Sequence, residues 1–185
     1  MNLSELAHRA NEEVGDVLQN ALPDQVIAMA SPILSANHIA LYGVGREGLM
    51  IKSLAMRLFH LGLDAHMIGD MTTPHIGEGD LLIVSAGPGY FSTVAGLIKQ
   101  AKIAGAQVLC VTAEQDGIVP KSADHVVLLS AQTMANDQGG DGSILPMGSL
   151  FEAVMFMFFE MLILHLRDAK GVSAEDMRAF HTNME

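Results

Sequence analysis

The chain holds one cysteine, Cys110, and no tryptophan in 185 residues. A single thiol excludes an intramolecular disulfide and, in practice, a thiolate-built structural zinc site, and it suits a reducing, cytoplasmic setting. Positive charge is scarce too: 10 Lys and Arg face 21 Asp and Glu, for a net charge of −11. Nucleic-acid binding neutralises phosphates with clustered Lys and Arg, so a nucleic-acid partner is not expected. The 8 His and the scattered acids show no tight ligand spacing. Asp137-Gln-Gly-Gly-Asp141-Gly lacks the alternating oxygen ligands of a calcium loop, so no metal is expected. A nucleophile elbow of the Gly-x-Ser-x-Gly type is missing. The opening Met1-Asn-Leu-Ser-Glu-Leu lacks the basic-then-apolar order of a signal peptide. The most apolar stretch, 150–166, carries Glu152, Glu160 and His165. It is too short and too charged for a membrane span, so it reads as a helix buried in a core or in an interface between copies.

What is abundant is aliphatic. Hydrophobic residues make up 50% of the chain, with 13 Met and only 5% aromatics, enough for one sizeable core. Residues 1–185 are read as a single domain: N-terminal helices over 1–36, a core over 37–170 and a tail over 171–185. In the core, short apolar runs at 38–43, 65–68, 81–85, 107–112 and 125–129 read as five strands. Helical patterns at 46–61, 91–104 and 149–168 separate them, and a short helix is expected at 173–180. Strands alternating with helices imply a parallel sheet with right-handed crossovers, hence a doubly wound, flavodoxin-like αβα sandwich of three layers. Ligands of such folds bind beyond the carboxyl ends of the strands. The loops there are 43–48, 86–91 and 131–148, the last long, polar and glycine-rich.

Gly43-Val-Gly-Arg-Glu-Gly48 matches the dinucleotide fingerprint between a strand and a helix, and Asp70 is placed to be the ribose acid. Glycines there also serve a tight turn with no ligand at all. A carboxylate at Glu47, in the first turn of the helix, counts against a phosphate, because it already occupies the field that attracts anions. The second loop runs Ser85-Ala-Gly-Pro-Gly-Tyr-Phe-Ser-Thr93. Ser92 and Thr93 suit a helix N-cap, or they donate to an anion or to sugar hydroxyls. Ser149-Leu-Phe-Glu152 has the pattern of a capping box, with Glu152 at its third helical position.

Gly43-x-Gly-Arg46 followed by Lys52-Ser-x-Ala-Met-Arg57-x-x-His60-x-Gly62 resembles the SIS (sugar isomerase) domain, in particular the 6-phospho-3-hexuloisomerases. So do Thr73-Pro74, Glu78-Gly-Asp80-Leu, Pro146-Met-Gly-Ser-Leu-Phe-Glu152 and the ending His181-x-Asn183-x-Glu185. The resemblance implies interconversion of 3-hexulose 6-phosphate and fructose 6-phosphate, with no metal or redox cofactor, in a homotetramer or dimer. It implies that Glu152 is the acid/base residue, that His60 and Arg46 lie at the site, and that the tail around His181 reaches a neighbouring subunit. The sugar is expected to meet Gly45, Arg46, Glu47, Ser85, Gly87, Gly89, Tyr90, Ser92, Thr93 and His181.

Two departures bear on the substrate. Glu47 stands where the family carries serine, and Ala86-Gly-Pro88-Gly-Tyr90-Phe91 stands where it carries Ser-Gly-Ser-Gly-Glu-Thr. Hydroxyl donors for a phosphate are gone and a carboxylate has arrived. Glu47 and Tyr90 are alternatively suited to a neutral polyol. Three functions follow: an isomerase of a sugar or sugar phosphate, a sugar sensor without turnover, and, from the glycine fingerprint alone, a dinucleotide-dependent oxidoreductase.

Overall fold

The computed structural model describes residues 2–137 and 142–184. Two helices, α1 (Leu3–Ala21) and α2 (Asp24–Ser35), precede an alternating core. The core runs β1 (Ile39–Tyr42), α3 (Gly45–His60), β2 (Ala65–Met67), β3 (Leu81–Ser85), α4 (Ser92–Ala104), β4 (Gln107–Thr112), α5 (Ile118–Lys121), β5 (His125–Leu128) and α6 (Ser149–Lys170). A short α7 (Ala174–Ala179) follows.

All five strands pair in parallel, in the order β2-β1-β3-β4-β5. Successive strand side chains point to opposite faces, and both faces are apolar. Ile39, Leu41, Ile83, Leu109 and Val111 pack with α1, α2, α3 and α6. Ala40, Leu82, Val84, Val108 and Cys110 pack with α4 and α5. Every residue of β3, the central strand, is buried, as a sheet covered on both sides requires. The expected three-layer sandwich is therefore the observed one.

By length and composition α6 is apolar enough to cross a bilayer. Its residues Phe151, Val154, Met155, Phe158, Leu162 and Leu166 recur at helical spacing and are buried against α1, α2 and α3. It is thus the core helix under the sheet, and each such side chain removed from water contributes about 1.5–3 kcal/mol. Arg57 donates to both oxygens of Glu160 at 3.1 Å, clamping the last turn of α3 to the middle of α6.

Element ends differ from the sequence expectation by a residue or two, and α5 was not foreseen. Residues 131–137 and 142–148 form no helix or strand. Residues 138–141, which include Asp141 of the calcium-loop comparison, lie outside the described residues, as does Glu185 of the tail motif.

Candidate active site

The strand order reverses direction between β1 and β3, so the loops that leave their carboxyl ends diverge and open a crevice. A cleft of about 180 Å³ lies there. The loop after β1 and the start of α3 supply Val44, Gly45, Arg46 and Glu47, and the loop after β3 supplies Pro88 and Phe91. Thr133, Met134, Met147 and Gly148 close it from the long segment, with Phe151 and Glu152 of α6 behind.

The glycines of the first loop are required by the chain itself. A Cβ on Gly48 would sit 2.5 Å from the Gly43 carbonyl oxygen, and one on Gly43 would sit 2.8 Å from Ser85 Oγ. The fingerprint spacing is therefore explained by close packing of turn, helix and strand. Asp70 is not among the cleft residues.

Glu47, in the first turn of α3, is only 7% exposed. Its two carboxylate oxygens accept from the Gly87 N–H at 3.2 and 3.1 Å. Burial raises its pKa from 4.5 to about 7, opposed by the Gly87 amide and the nearby Ser85 hydroxyl and reinforced by the charge of Glu152. Ser85 Oγ is fully buried and, among the described residues, makes no hydrogen bond of good geometry. Gly87 leaves the space the carboxylate fills: a Cβ there would lie 2.9 Å from Glu47 Oε1 and 2.8 Å from the Phe151 ring.

Glu152 does not cap its own helix. The cap position falls on Gly148, which has a left-handed backbone (φ 81), and Ser149 becomes the first helical residue. The capping-box pattern thus misplaces the helix start by one residue. Freed from that role, Glu152 Oε2 meets Arg46 Nη2 at 2.8 Å. Arg46 also donates from Nη1 to Ser149 Oγ at 3.1 Å and from Nη2 to the Met147 carbonyl. Desolvation raises the pKa of Glu152, while Arg46 pulls it down. The arrangement is a carboxylate facing a partly dry cleft, held in place by a guanidinium with donors in a fixed fork.

The remaining expected residues divide into two groups. Gly45 (φ 58) opens α3, and Gly89 (φ 80) turns the second loop against Gly117. Tyr90 is half-exposed, and Ser92 and Thr93 are exposed at the start of α4. The N-cap position of α4 is Phe91, with no side-chain cap bond, so neither hydroxyl caps the helix. His60 lies at the other end of α3, about 20 Å from Glu47 at 1.5 Å per residue. Its ring stacks obliquely on His181 (centroids 5.3 Å apart), and Phe180 packs edge-on against Phe59. The tail therefore lies on α3 of its own chain, and within one chain His60 and His181 do not meet Glu152. Sequence reading missed Thr133, Met134 and Met147 as lining residues, because no periodicity marks the segment that brings them in, and Phe151, because its helical spacing marks only a core position of α6.

Residues 33–157 match the SIS domain. This chain belongs to the SIS domain family. It is 37% identical over 157 residues to the 3-hexulose-6-phosphate isomerase of Bacillus subtilis, covering 85% of each chain. It is 38% identical over 174 residues to the 3-hexulose-6-phosphate isomerase of Mycobacterium gastri, covering 94% of this chain and 87% of the relative. Its fold superposes with a TM-score of 0.85 on a hypothetical protein from Methanococcus jannaschii whose crystal structure was taken to infer that same function, at 25% identity over 98% of this chain and 99% of that one. By this kinship the chain is an isomerase of the SIS type.

In this SIS domain a larger cavity, about 490 Å³, opens on the opposite face of the sheet between Ile68, Pro74, Ile76, Leu97 and Ile103. Among the described residues its only ionisable lining group is His75, so they offer no pair of groups to carry protons and hold charge. The smaller cleft, by contrast, pairs a carboxylate with a guanidinium.

Proposed function

We propose that the protein is a cytoplasmic sugar phosphate isomerase that interconverts 3-hexulose 6-phosphate and fructose 6-phosphate, with Glu152 carrying the proton. The observation that supports this most directly is the orientation of Glu152: paired with Arg46 and lining the cleft, with no cap bond to its own helix. In the forward direction the Glu152 carboxylate takes the hydrogen from C2 of the open-chain sugar. The C–H electron pair forms the C2=C3 double bond, and the C3 carbonyl oxygen becomes the enediol oxygen. Glu152 then returns that proton to C3 while the O2 proton passes to O3, so that C2 becomes the carbonyl and C3 carries the hydroxyl. One group serves as base and then as acid, and no redox partner or metal enters the balance. Burial raises its pKa, in the direction that dual task requires, against the opposing pull of Arg46. Arg46, a donor within the same cleft, would stabilise the negative charge that grows on the enediolate oxygens.

His60 lies too far along α3 to take part from the same chain. Its role at the site, and that of His181, would come from a neighbouring copy, in keeping with a homotetramer or dimer. Leu49, Met56 and Phe59 on α3 and Phe156, Met157 and Leu164 on α6 are large apolar side chains left exposed, more than a lone chain is expected to leave on its helices. Residues 171–185 are assigned as the segment that completes the neighbour's site.

The buried carboxylate of Glu47 on the Gly87 amide supports a second reading, in which the sugar is unphosphorylated. A sensor that binds the sugar without turnover remains the non-catalytic alternative. The test is conversion of fructose 6-phosphate and of free fructose, followed by NMR of the products. Conversion of the phosphate ester alone supports the first reading, conversion of fructose alone supports the second, and binding of either without conversion supports the sensor.

A further inference from the structure

We propose that the Glu47 carboxylate is a resident anion in the phosphate cradle of the cleft, and that a phosphorylated sugar binds only together with a proton that neutralises it. The inference rests on the sugar-phosphate reading above.

The cradle is recognisable by its donors. The Gly87 N–H opens the loop after β3 and points at the start of α3, where backbone amides and the helix field attract an anion. Both oxygens of Glu47 already lie on that amide. Ser85 Oγ is fully buried beside them, makes no bond of good geometry among the described residues, and lies close enough to Glu47 for its hydroxyl to favour the carboxylate, so it is a further donor of this cradle directed at an anion. No ion pair reaches Glu47 among the described residues. The cation next to it in sequence, Arg46, is committed to Glu152, Ser149 Oγ and the Met147 carbonyl.

Among the described residues, the other elements packed around Glu47 supply no positive charge. From α6 comes Glu152, whose charge opposes ionisation of Glu47. From β4 comes the Cys110 thiol, pushed up to about 12 by burial and by Glu47 itself, and therefore neutral. From β3 comes Ser85. A dianionic phosphoryl group entering this space with Glu47 ionised would meet two carboxylates in a poorly solvated site, and like charges there repel strongly. Protonation of Glu47 removes one of the two charges, releases the Gly87 amide and turns an acceptor into an O–H donor. Because burial already holds Glu47 near neutrality, that proton is available from solvent at modest cost. The residue thereby sets both the specificity and the pH range of the cleft.

The experiment is titration calorimetry of the wild-type protein with fructose 6-phosphate at about pH 8, one unit above the Glu47 titration, in buffers of different ionisation enthalpy. The expected result is uptake of about one proton per site, with affinity falling about tenfold per pH unit above neutrality. Glu47→Gln should bind without uptake and with a flat profile. Binding without proton uptake in the wild type overturns the inference, and that measurement needs no variant to fold. Uptake that persists in Glu47→Gln also overturns it, since the proton then sits on the phosphate. Binding and turnover without uptake leave the isomerase assignment standing. Failure to bind or convert fructose 6-phosphate at any pH overturns both.

Discussion

Arg46 Nη2 lies 2.8 Å from Glu152 Oε2 and joins the first turn of α3 to the first turn of α6. The same guanidinium holds Ser149 and the Met147 carbonyl, so one side chain fixes both the start of α6 and the direction in which its carboxylate points. Arg46 and Glu152 therefore form a single device, with basicity set by desolvation on one side and the cation on the other.

Removing the cation should shift the pH profile in a defined direction. Arg46 lowers the pKa of Glu152, so Arg46→Ala raises it, and the acid limb of kcat/KM moves to higher pH. The loss of positioning and charge stabilisation is expected to cost about 100-fold or more in kcat. A pH–rate profile of the variant checks this, and an acid limb that stays in place contradicts it.

Glu47 should make the fold less stable as pH rises. Its folded pKa, about 7, lies above the ordinary 4.5, so between those values the native state binds more protons than the unfolded chain. Its stabilising share is complete below about pH 4.5 and is lost as pH rises through about 7. The shift is worth about 3 kcal/mol at roughly 1.4 kcal/mol per pH unit. Relative to Glu47→Gln, the wild type should lose about that much stability between mildly acidic and mildly alkaline pH, read by denaturant titration at several pH values.

Gly87→Ala should crowd the same carboxylate. The added Cβ would approach Glu47 Oε1 at 2.9 Å and the Phe151 ring at 2.8 Å, for an expected loss of about 1–3 kcal/mol. Glu47→Ser in the same chain should restore part of it, with a coupling above about 0.5 kcal/mol in the double-mutant cycle. Additivity would mean that the two residues do not share space.

Phe156→Glu places a charge on the exposed face of α6 without touching the core. It should lower the mass observed in sedimentation equilibrium while the circular dichroism spectrum stays native. An unchanged mass would move the interface elsewhere.

The fold was legible because each strand is a short apolar run ended by glycine or polar residues. Leu81–Ser85 and Gln107–Thr112 were placed to the residue, and the stop of α4 at Gly105 follows from its left-handed φ of 88°. The start of α6 was less legible. Ser149 and Glu152 have the spacing of a capping box, but Gly148 adopts a left-handed backbone and takes the cap position, a choice made by tertiary contact with Thr133 and Met134. Glu47 was readable as an obstacle to phosphate, whereas its bond to Gly87, 40 residues away, was not. The partnership depends on the loops after β1 and β3 meeting across the sheet, and no local pattern encodes that meeting.

The central claim is that Glu152 carries hydrogen between neighbouring sugar carbons. The direct measurement is deuterium incorporation into fructose 6-phosphate in deuterated water by the wild type and by Glu152→Gln, followed by NMR. The glutamine keeps the size and can still accept from Arg46, but it cannot take a proton. The wild type should label C3 of fructose 6-phosphate, and the variant should be slower by about 100-fold or more. Labelling by Glu152→Gln at the wild-type rate would contradict the account.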